Sequence, residues 1–205
     1  MRRSENLKLK KESRIIGFDD GPFTFDREGK KHRMESVPIA GVVMRGADYV
    51  EGVLITSVMV DGDDATKKIA SAVRKSRFKN QIRAILINGG AVGGFNVIDI
   101  GVLHELTGIP VITITRHKPD FAAMEKALKK HFTDWKERLR TLKRRRFASI
   151  LTNHNPLFVK YVGLRKKDVE EIVAFATKRG AMPECLRIAH LVASALVRGE
   201  SYGRA

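Results

Sequence analysis

The sequence of 205 residues has one cysteine, six prolines, 7% aromatic residues and no long apolar run. The lone Cys185 excludes an intrachain disulfide and a cysteine-rich zinc site. No apolar stretch approaches the roughly 20 residues that cross a bilayer. The first 14 residues are polar and basic and lack the apolar centre of a secretory signal. We therefore expect a soluble, cytoplasmic protein with no membrane partner.

Positive charge is what the chain has in excess. Lys and Arg number 39 against 23 Asp and Glu, which gives a formal net charge of +16. A protein this basic attracts polyanions, so the composition favours a nucleic acid, RNA or DNA, as partner. A generally charged surface and an anionic membrane are the alternatives. The sequence contains no basic helix studded with Trp or Phe to support the membrane.

The basic residues are densest in one stretch near the middle of the second half. It consists of Lys143, Arg144, Arg145 and Arg146. Trp135 and Phe147 lie close by in the sequence, and basic residues with interleaved aromatics suit phosphate contact and base stacking. A solvated helix face with its aromatics turned to the core would have the same composition. The pattern slightly favours nucleic-acid contact.

The order of predicted elements favours an α/β fold with a mixed sheet. Apolar and β-branched runs predict strands near residues 14–19, 37–44, 50–60, 82–87, 111–115 and 157–162. Short connections, including a hairpin turn at residues 45–48, favour antiparallel pairing of the first three strands. The later strands follow helices and should add in parallel. Residues 26–35 are predicted to form a loop or hairpin connection.

Helices are expected between the later strands and at the end of the chain. Helical spacing predicts a first helix from Asp63 or Asp64 to about residue 77, and a second over residues 97–106 with Asn96 as its cap. A third is predicted from Asp120 to about residue 146, with a break near residue 132. Two more are predicted over residues 167–178 and 183–197. We expect three antiparallel strands, then parallel strands, with helices on both faces of the sheet. One domain over residues 14–200 would follow a basic leader over residues 1–13.

Two predicted strands end in acidic loops. Asp19 and Asp20 follow the first strand, and Asp61, Asp63 and Asp64 follow the third. Carboxylates at a sheet end suit a hard cation such as Mg²⁺ or Mn²⁺, and Asp19, Asp61 and Asp63 are the candidate metal ligands. Ordinary turn chemistry around Asp19 and helix capping by Asp63 or Asp64 are the alternative interpretations.

A third loop is rich in glycine and begins at Asn88, where a further acid would complete such a site. It contains Gly89, Gly90, Gly93 and Gly94. The loop matches neither a dinucleotide-binding nor a P-loop motif. Its bare backbone leads into a helix and suits close approach of a phosphodiester or a base. Asp99 is expected to favour the helix dipole, and His190 is expected to be a packed or partly exposed histidine.

Several segments resemble endonuclease V, and more closely an uncharacterised, largely archaeal family related to it. Residues 17–23 resemble the first-strand segment of endonuclease V, residues 87–90 its strand-end Val-Asp-Gly-His, and residues 107–112 the strand that follows. Residues 182–189 resemble its Pro-Glu-Pro-x-Arg-x-Ala-Asp stretch. Residues 60–66 and 95–100 are typical of the archaeal family.

The resemblance implies a ribonuclease-H-like fold and cleavage of nucleic acid near inosine with magnesium held by carboxylates. Asp19 falls on a metal-binding Asp of that family, and Asn88 replaces its third acid. Its second-strand Glu has no clear match, although Asp61 or Asp63 lies in the right region. A further catalytic His, in a Val-Gly-His context, falls on Leu164.

Three functions remain open from the sequence. The first is a nucleic-acid-binding protein that resembles endonuclease V, with an altered or weak divalent-metal cleft near Asp19, the Asp61–Asp64 loop and Asn88. The second is an active, Mg²⁺- or Mn²⁺-dependent endonuclease on modified or structured DNA or RNA. The third is a non-catalytic structural or partner-binding protein whose basic surface serves assembly.

Overall fold

A seven-stranded mixed sheet forms the centre of the fold in the computed structural model, which describes residues 9–23 and 35–201. The strands are β1 (Arg14–Asp20), β2 (Ser36–Arg45), β3 (Tyr49–Met59), β4 (Ile82–Asn88), β7 (Val111–Thr115), β8 (Ala148–Ile150) and β9 (Leu157–Val162), in the order β3-β2-β1-β4-β7-β9-β8. A small ribbon of β5 (Ala91–Val92) and β6 (Asn96–Val97) lies beside it. The predicted connection over residues 26–35, apart from Glu35, and residues 1–8 of the predicted leader lie outside the described residues.

The first half of the sheet pairs as expected. Strands β1, β2 and β3 are antiparallel to their neighbours, and β4 and β7 add in parallel to β1 and β4. Gly46 takes a φ of 56° in the hairpin turn between β2 and β3, a conformation that glycine adopts without strain. The parallel pairing brings the carboxyl ends of β1 and β4 side by side.

The expectation that all later strands add in parallel is wrong for β9. This strand is antiparallel to both β7 and β8. The sequence does not predict the strand β8, because its three residues are too few to show an alternating pattern. The connection between β8 and β9 is short, so the chain reverses direction and β9 pairs antiparallel to β8.

Six helices flank the sheet in the described residues. They are α1 (Ala65–Lys75), α2 (Ile100–Thr107), α3 (Phe121–His131), α4 (Trp135–Lys143), α5 (Lys166–Ala176) and α6 (Glu184–Arg198). The break expected near residue 132 separates α3 from α4, and Asp120 caps α3 by accepting from the backbone N–H groups of Ala122 and Ala123. None of these helices has the length and apolar character needed to cross a membrane.

The helices cover both faces of the sheet. The cluster that includes Ile16, Phe18 and Ile85 packs under α1 and α2, and the cluster that includes Ile15, Leu86 and Ile112 packs under α5 and α6. Strand β1 approaches α6 closely at Gly17, where an added Cβ would lie 2.6 Å from the carbonyl carbon of Cys185. This close approach holds the helix that carries His190 over the end of β1.

Candidate active site

The carboxyl ends of β1 and β4 bring Asp19, Asn88 and His190 together. The side-chain amide of Asn88 donates to Asp19 Oδ2 at 3.1 Å, and Nδ1 of His190 lies 3.0 Å from the same oxygen. Asp19 Oδ1 accepts from the backbone N–H of Asp20 at 3.0 Å. Asp19 is only 3% exposed. Its buried carboxylate is therefore held by contacts from its own strand β1, from β4 and from α6.

The charges of this cluster influence one another. Burial, together with the neighbouring Asp19 carboxylate, raises the pKa of Asp20 to about 6, although the backbone N–H of Gly93 donates to Asp20 Oδ2 at 2.7 Å and acts to lower it. The hydrogen bond to Asp19 raises the pKa of His190 above its usual value. The site therefore places two carboxyl groups at the sheet end, and the hydrogen bond to Asp19 raises the pKa of the neighbouring His190 imidazole.

The predicted metal ligands do not converge. Asp61 Oδ1 accepts from the backbone N–H of Phe95 at 3.0 Å and so fastens the glycine loop, while Asp63 is exposed at the start of α1. Across residues 9–23 and 35–201, no three His, Cys, Asp or Glu side chains form a group that could hold a metal ion. Asp19 lies with Asn88 and His190 instead.

Asp19 and Asp20 are the carboxylates that best fit a divalent cation. Mg²⁺ keeps several of its waters and is often held by one or two carboxylates. Part of the raised pKa of Asp20 comes from the charge of Asp19, and a bound cation would relieve that repulsion. These oxygen donors suit Mg²⁺ or Mn²⁺ better than a metal that prefers sulfur or several imidazoles.

A cavity of about 340 Å³ is lined by the glycine loop that follows Asn88, starting at Gly89, while Asp19, Asn88 and His190 are not among its lining residues. Gly89, Gly90 and Gly94 line one side of it, with Gly89 and Gly94 at positive φ. Three aromatic rings and several polar groups lie in the rest of the lining: Phe95, Phe121, Phe147, Asp99, Thr113, Lys160, Arg144 and Arg145. The glycine loop thus forms a bare-backbone part of the wall of a mainly apolar cavity.

The predicted basic stretch lies at the end of α4 and on the rim of this cavity. Arg144 pairs with Asp99, and Lys143 lies 3.3 Å from Glu125. Arg145 lines the cavity, and Arg146 is exposed. Asp99 is also the N-cap of α2, which corrects the prediction that Asn96 caps this helix from residue 97.

His190 was expected to be only a packed or partly exposed histidine, and its contact with Asp19 was missed. It follows Ala189 directly, at the end of the stretch that resembles endonuclease V, and this neighbourhood was the available signal. Lys160 was missed as well, because a single lysine within a short strand has no motif. Leu164, at the position of the family's further His, packs against the core beneath α5 and α6.

The sequence pattern of a family described as endonuclease dU matches residues 11–197. The chain belongs to the endonuclease dU family. Archaeal proteins named UPF0215 are similar over nearly the whole chain. That of Methanothermobacter thermautotrophicus is 44% identical over 197 residues, covering 96% of this chain and 94% of that protein. That of Thermococcus gammatolerans is 46% identical over 196 residues, covering 95% and 97%.

Solved structures support the fold of this endonuclease dU family member. A crystal structure of a protein of unknown function from Archaeoglobus fulgidus is 34% identical, with a TM-score of 0.78 over 91% of this chain and 99% of that chain. Human endonuclease V is 15% identical, with a TM-score of 0.55 over 91% of this chain and 85% of that chain. The expected ribonuclease-H-like fold is confirmed, and human endonuclease V shares it.

Proposed function

We propose that this protein is an endonuclease that cuts DNA beside a deoxyuridine residue, with a divalent cation held by Asp19 and Asp20. The observation that carries the proposal is the buried Asp19, which contacts Asn88 and His190 where two parallel strands end. The name of the family that matches the chain supplies the reaction class and the modified nucleotide. The basic surface supports a polyanionic substrate.

Asp19, Asn88 and His190 have different proposed roles around the scissile phosphate. Mg²⁺ or Mn²⁺, when bound, would supply positive charge to the phosphodiester and to the attacking water. Asn88 fixes the Asp19 carboxylate through its amide N–H. His190 turns Nδ1 toward Asp19, and the charge of Asp19 favours the imidazolium form. Its Nε2 is then the atom that can give a proton to the departing oxygen.

The cavity beside Asn88 is the proposed place for the modified base. An enzyme that reads one base in a strand commonly turns that base out of the stack into a pocket. The rings of Phe95, Phe121 and Phe147 give this cavity stacking surfaces, and Gly89 and Gly90 let the backbone of the nucleotide approach closely. The phosphate beside such a base would lie near the Asp19 carboxylate.

Cleavage of defined oligonucleotides tests this function. Single- and double-stranded DNA with one central deoxyuridine, deoxyinosine or unmodified base is incubated with Mg²⁺, Mn²⁺ or EDTA, with matched RNA alongside. We expect metal-dependent cutting that favours deoxyuridine. The cleavage rate should fall by at least about 100-fold in Asp19→Asn, because the neutral amide would weaken the proposed cation site that stabilises the transition state. Asp63→Asn, an exposed carboxylate changed in the same way, should keep full activity.

A nucleic-acid reader that binds without cutting is the second candidate. It is favoured by one feature: Asp19 Oδ2 is already paired with a neutral amide and a histidine, where the resemblance to endonuclease V implies a further acid at position 88. Salt-sensitive binding to the same oligonucleotides, with no product in either metal, would identify this role. Failure to bind any of them at low salt would indicate a structural or partner-binding protein instead.

A further inference from the structure

Lys160 is a buried cation to which the proposed cleavage chemistry assigns no task. It lies on β9, opposite Thr113 of β7, and both side chains line the cavity beside Asn88. Lys160 is only 8% exposed and Thr113 only 4%. The two residues therefore place neighbouring polar groups in the lining of a cavity that is mainly apolar.

The surroundings of the Lys160 ammonium leave some of its N–H donors available for a ligand. Its Nζ donates to the carbonyl oxygen of Leu142 in α4, and lies 4.3 Å from the ring centroid of Phe147 and 5.3 Å from that of Phe121. No carboxylate forms an ion pair with Lys160 within the described parts of the chain, and burial lowers its pKa to about 8. An ammonium carries three N–H donors and no acceptor, so one carbonyl does not use up its capacity.

A group that only donates distinguishes two kinds of base when it faces position 4 of a pyrimidine or position 6 of a purine. Uracil presents a carbonyl oxygen at C4, which accepts hydrogen bonds, whereas cytosine presents an amino group, which donates. Resting on the proposed function, we propose that Lys160 is a specificity-determining residue that admits a base with a keto group and rejects the corresponding amino base. The same rule separates hypoxanthine from adenine. Lys160 does not separate uracil from thymine, because both have the keto oxygen.

Substitutions at Lys160 test the inference, and the quantity measured is the ratio of the affinities for strands with dU, dC and dT. Equilibrium binding is measured in EDTA, so that no strand is cut, with single-stranded oligonucleotides that differ only in a central dU, dC or dT. Lys160→Met should lower the preference for dU over dC by about 10- to 100-fold, the range expected for a hydrogen bond to a charged group. The preference for dU over dT should stay the same. Lys160→Arg, which also only donates, should keep the preference for dU over dC, and Lys160→Gln, which can donate or accept, should lose it.

A purely structural role for Lys160 gives a different result. If the residue only fastens α4 to the sheet, Lys160→Met will weaken binding of dU, dC and dT strands by the same factor, which would overturn the inference. Thermal unfolding of each variant confirms that a folded protein is compared. Lys67→Met, which removes one exposed lysine from α1, is the matched control and should leave every ratio unchanged.

The failure of this inference and that of the proposed function are distinguishable. A wild-type protein that cuts deoxyuridine DNA while Lys160→Met keeps the full preference for dU over dC would overturn only the role of Lys160. Equal binding of dU and dC strands by the wild type would overturn it too, whatever the cleavage assay shows. A wild type that cuts no strand in either metal would instead contradict the proposed function.

Discussion

At the scale of single residues, the buried Lys160 makes stability depend on pH in a predictable direction. Burial lowers its pKa from 10.5 to about 8 in the folded protein. Between these values the unfolded chain binds more protons than the folded one, so raising the pH stabilises the fold. We expect the free energy of unfolding of the wild type, relative to Lys160→Met, to be lowest below pH 8 and to rise up to pH 10.5.

Urea unfolding at several pH values across this range measures that difference. The same series with Lys67→Met corrects for the loss of one lysine from a very basic chain. A difference between wild type and Lys160→Met that stays constant with pH would show that burial does not penalise the Lys160 ammonium.

Individual site residues could be predicted from the sequence only where they stood in a motif. Asp19 and Asn88 each end an apolar run beside glycine, and the structure brings them within 3.1 Å of each other. Lys160 lies inside a short strand and has no local signature, and His190 has only its place next to the stretch that resembles endonuclease V. Their partners come from β1 and α4, and only the tertiary fold decides those contacts.

At the scale of elements, the start of α1 is capped from a distance. Asp64 was a predicted N-cap and occupies that position, but its side chain makes no capping hydrogen bond. Asn96 from β6 does this instead: its Oδ1 accepts from the backbone N–H of Ala65 at 3.0 Å, and its Nδ2 donates to the carbonyl of Met59 at 2.9 Å. The cap therefore joins the glycine loop to the end of β3.

Replacing Asn96 with Ala should consequently destabilise the whole fold. The buried N–H of Ala65 would lose its partner, and such an unpaired group costs about 1–3 kcal/mol. The carbonyl of Met59 would lose one of its two donors and keep the backbone N–H of Gly62, so that lost bond adds about 0.5–1.5 kcal/mol. We expect a loss of about 3 kcal/mol in the free energy of unfolding, measured in urea. Asp63→Ala, at an exposed position in the same loop, should change it by less than about 0.5 kcal/mol. Equal effects of the two changes would contradict the capping role of Asn96.

Elements with long periodic patterns could be predicted, and short ones could not. The α3–α4 break and the cap at Asp120 follow from helical spacing and cap chemistry. The strand β8 has only three residues, too few to show an alternating pattern, and missing it led to the wrong direction for β9. Pairing between distant segments, unlike the helix break, is not encoded in either segment alone.

At the scale of the whole molecule, exposed lysines on α3 and α4 give the proposed polyanionic partner a surface beside the cavity. The helices α3 and α4 form walls of the cavity through Phe121, Met124, Thr141 and Leu142. Their outer surfaces carry exposed lysines at positions 126, 130 and 136. A strand whose base enters the cavity would therefore pass its flanking phosphates along these helices. Composition predicts that the partner is negatively charged. Only the packing of α3 and α4 against the cavity indicates where on this protein such a partner would bind.

Replacing Lys126, Lys130 and Lys136 together with Gln should weaken DNA binding without changing base preference. Each lost phosphate contact should reduce the slope of log affinity against log salt concentration by about 0.7 for single-stranded DNA. A triple replacement of Lys67, Lys68 and Lys79, exposed residues in α1 and the turn after it, removes the same charge and should leave the slope nearly unchanged. Binding titrations from low to moderate salt with dU and dC strands measure both slope and preference. If the two triple variants lowered the slope equally, net charge alone would drive binding, and α3 and α4 would not form the surface for DNA.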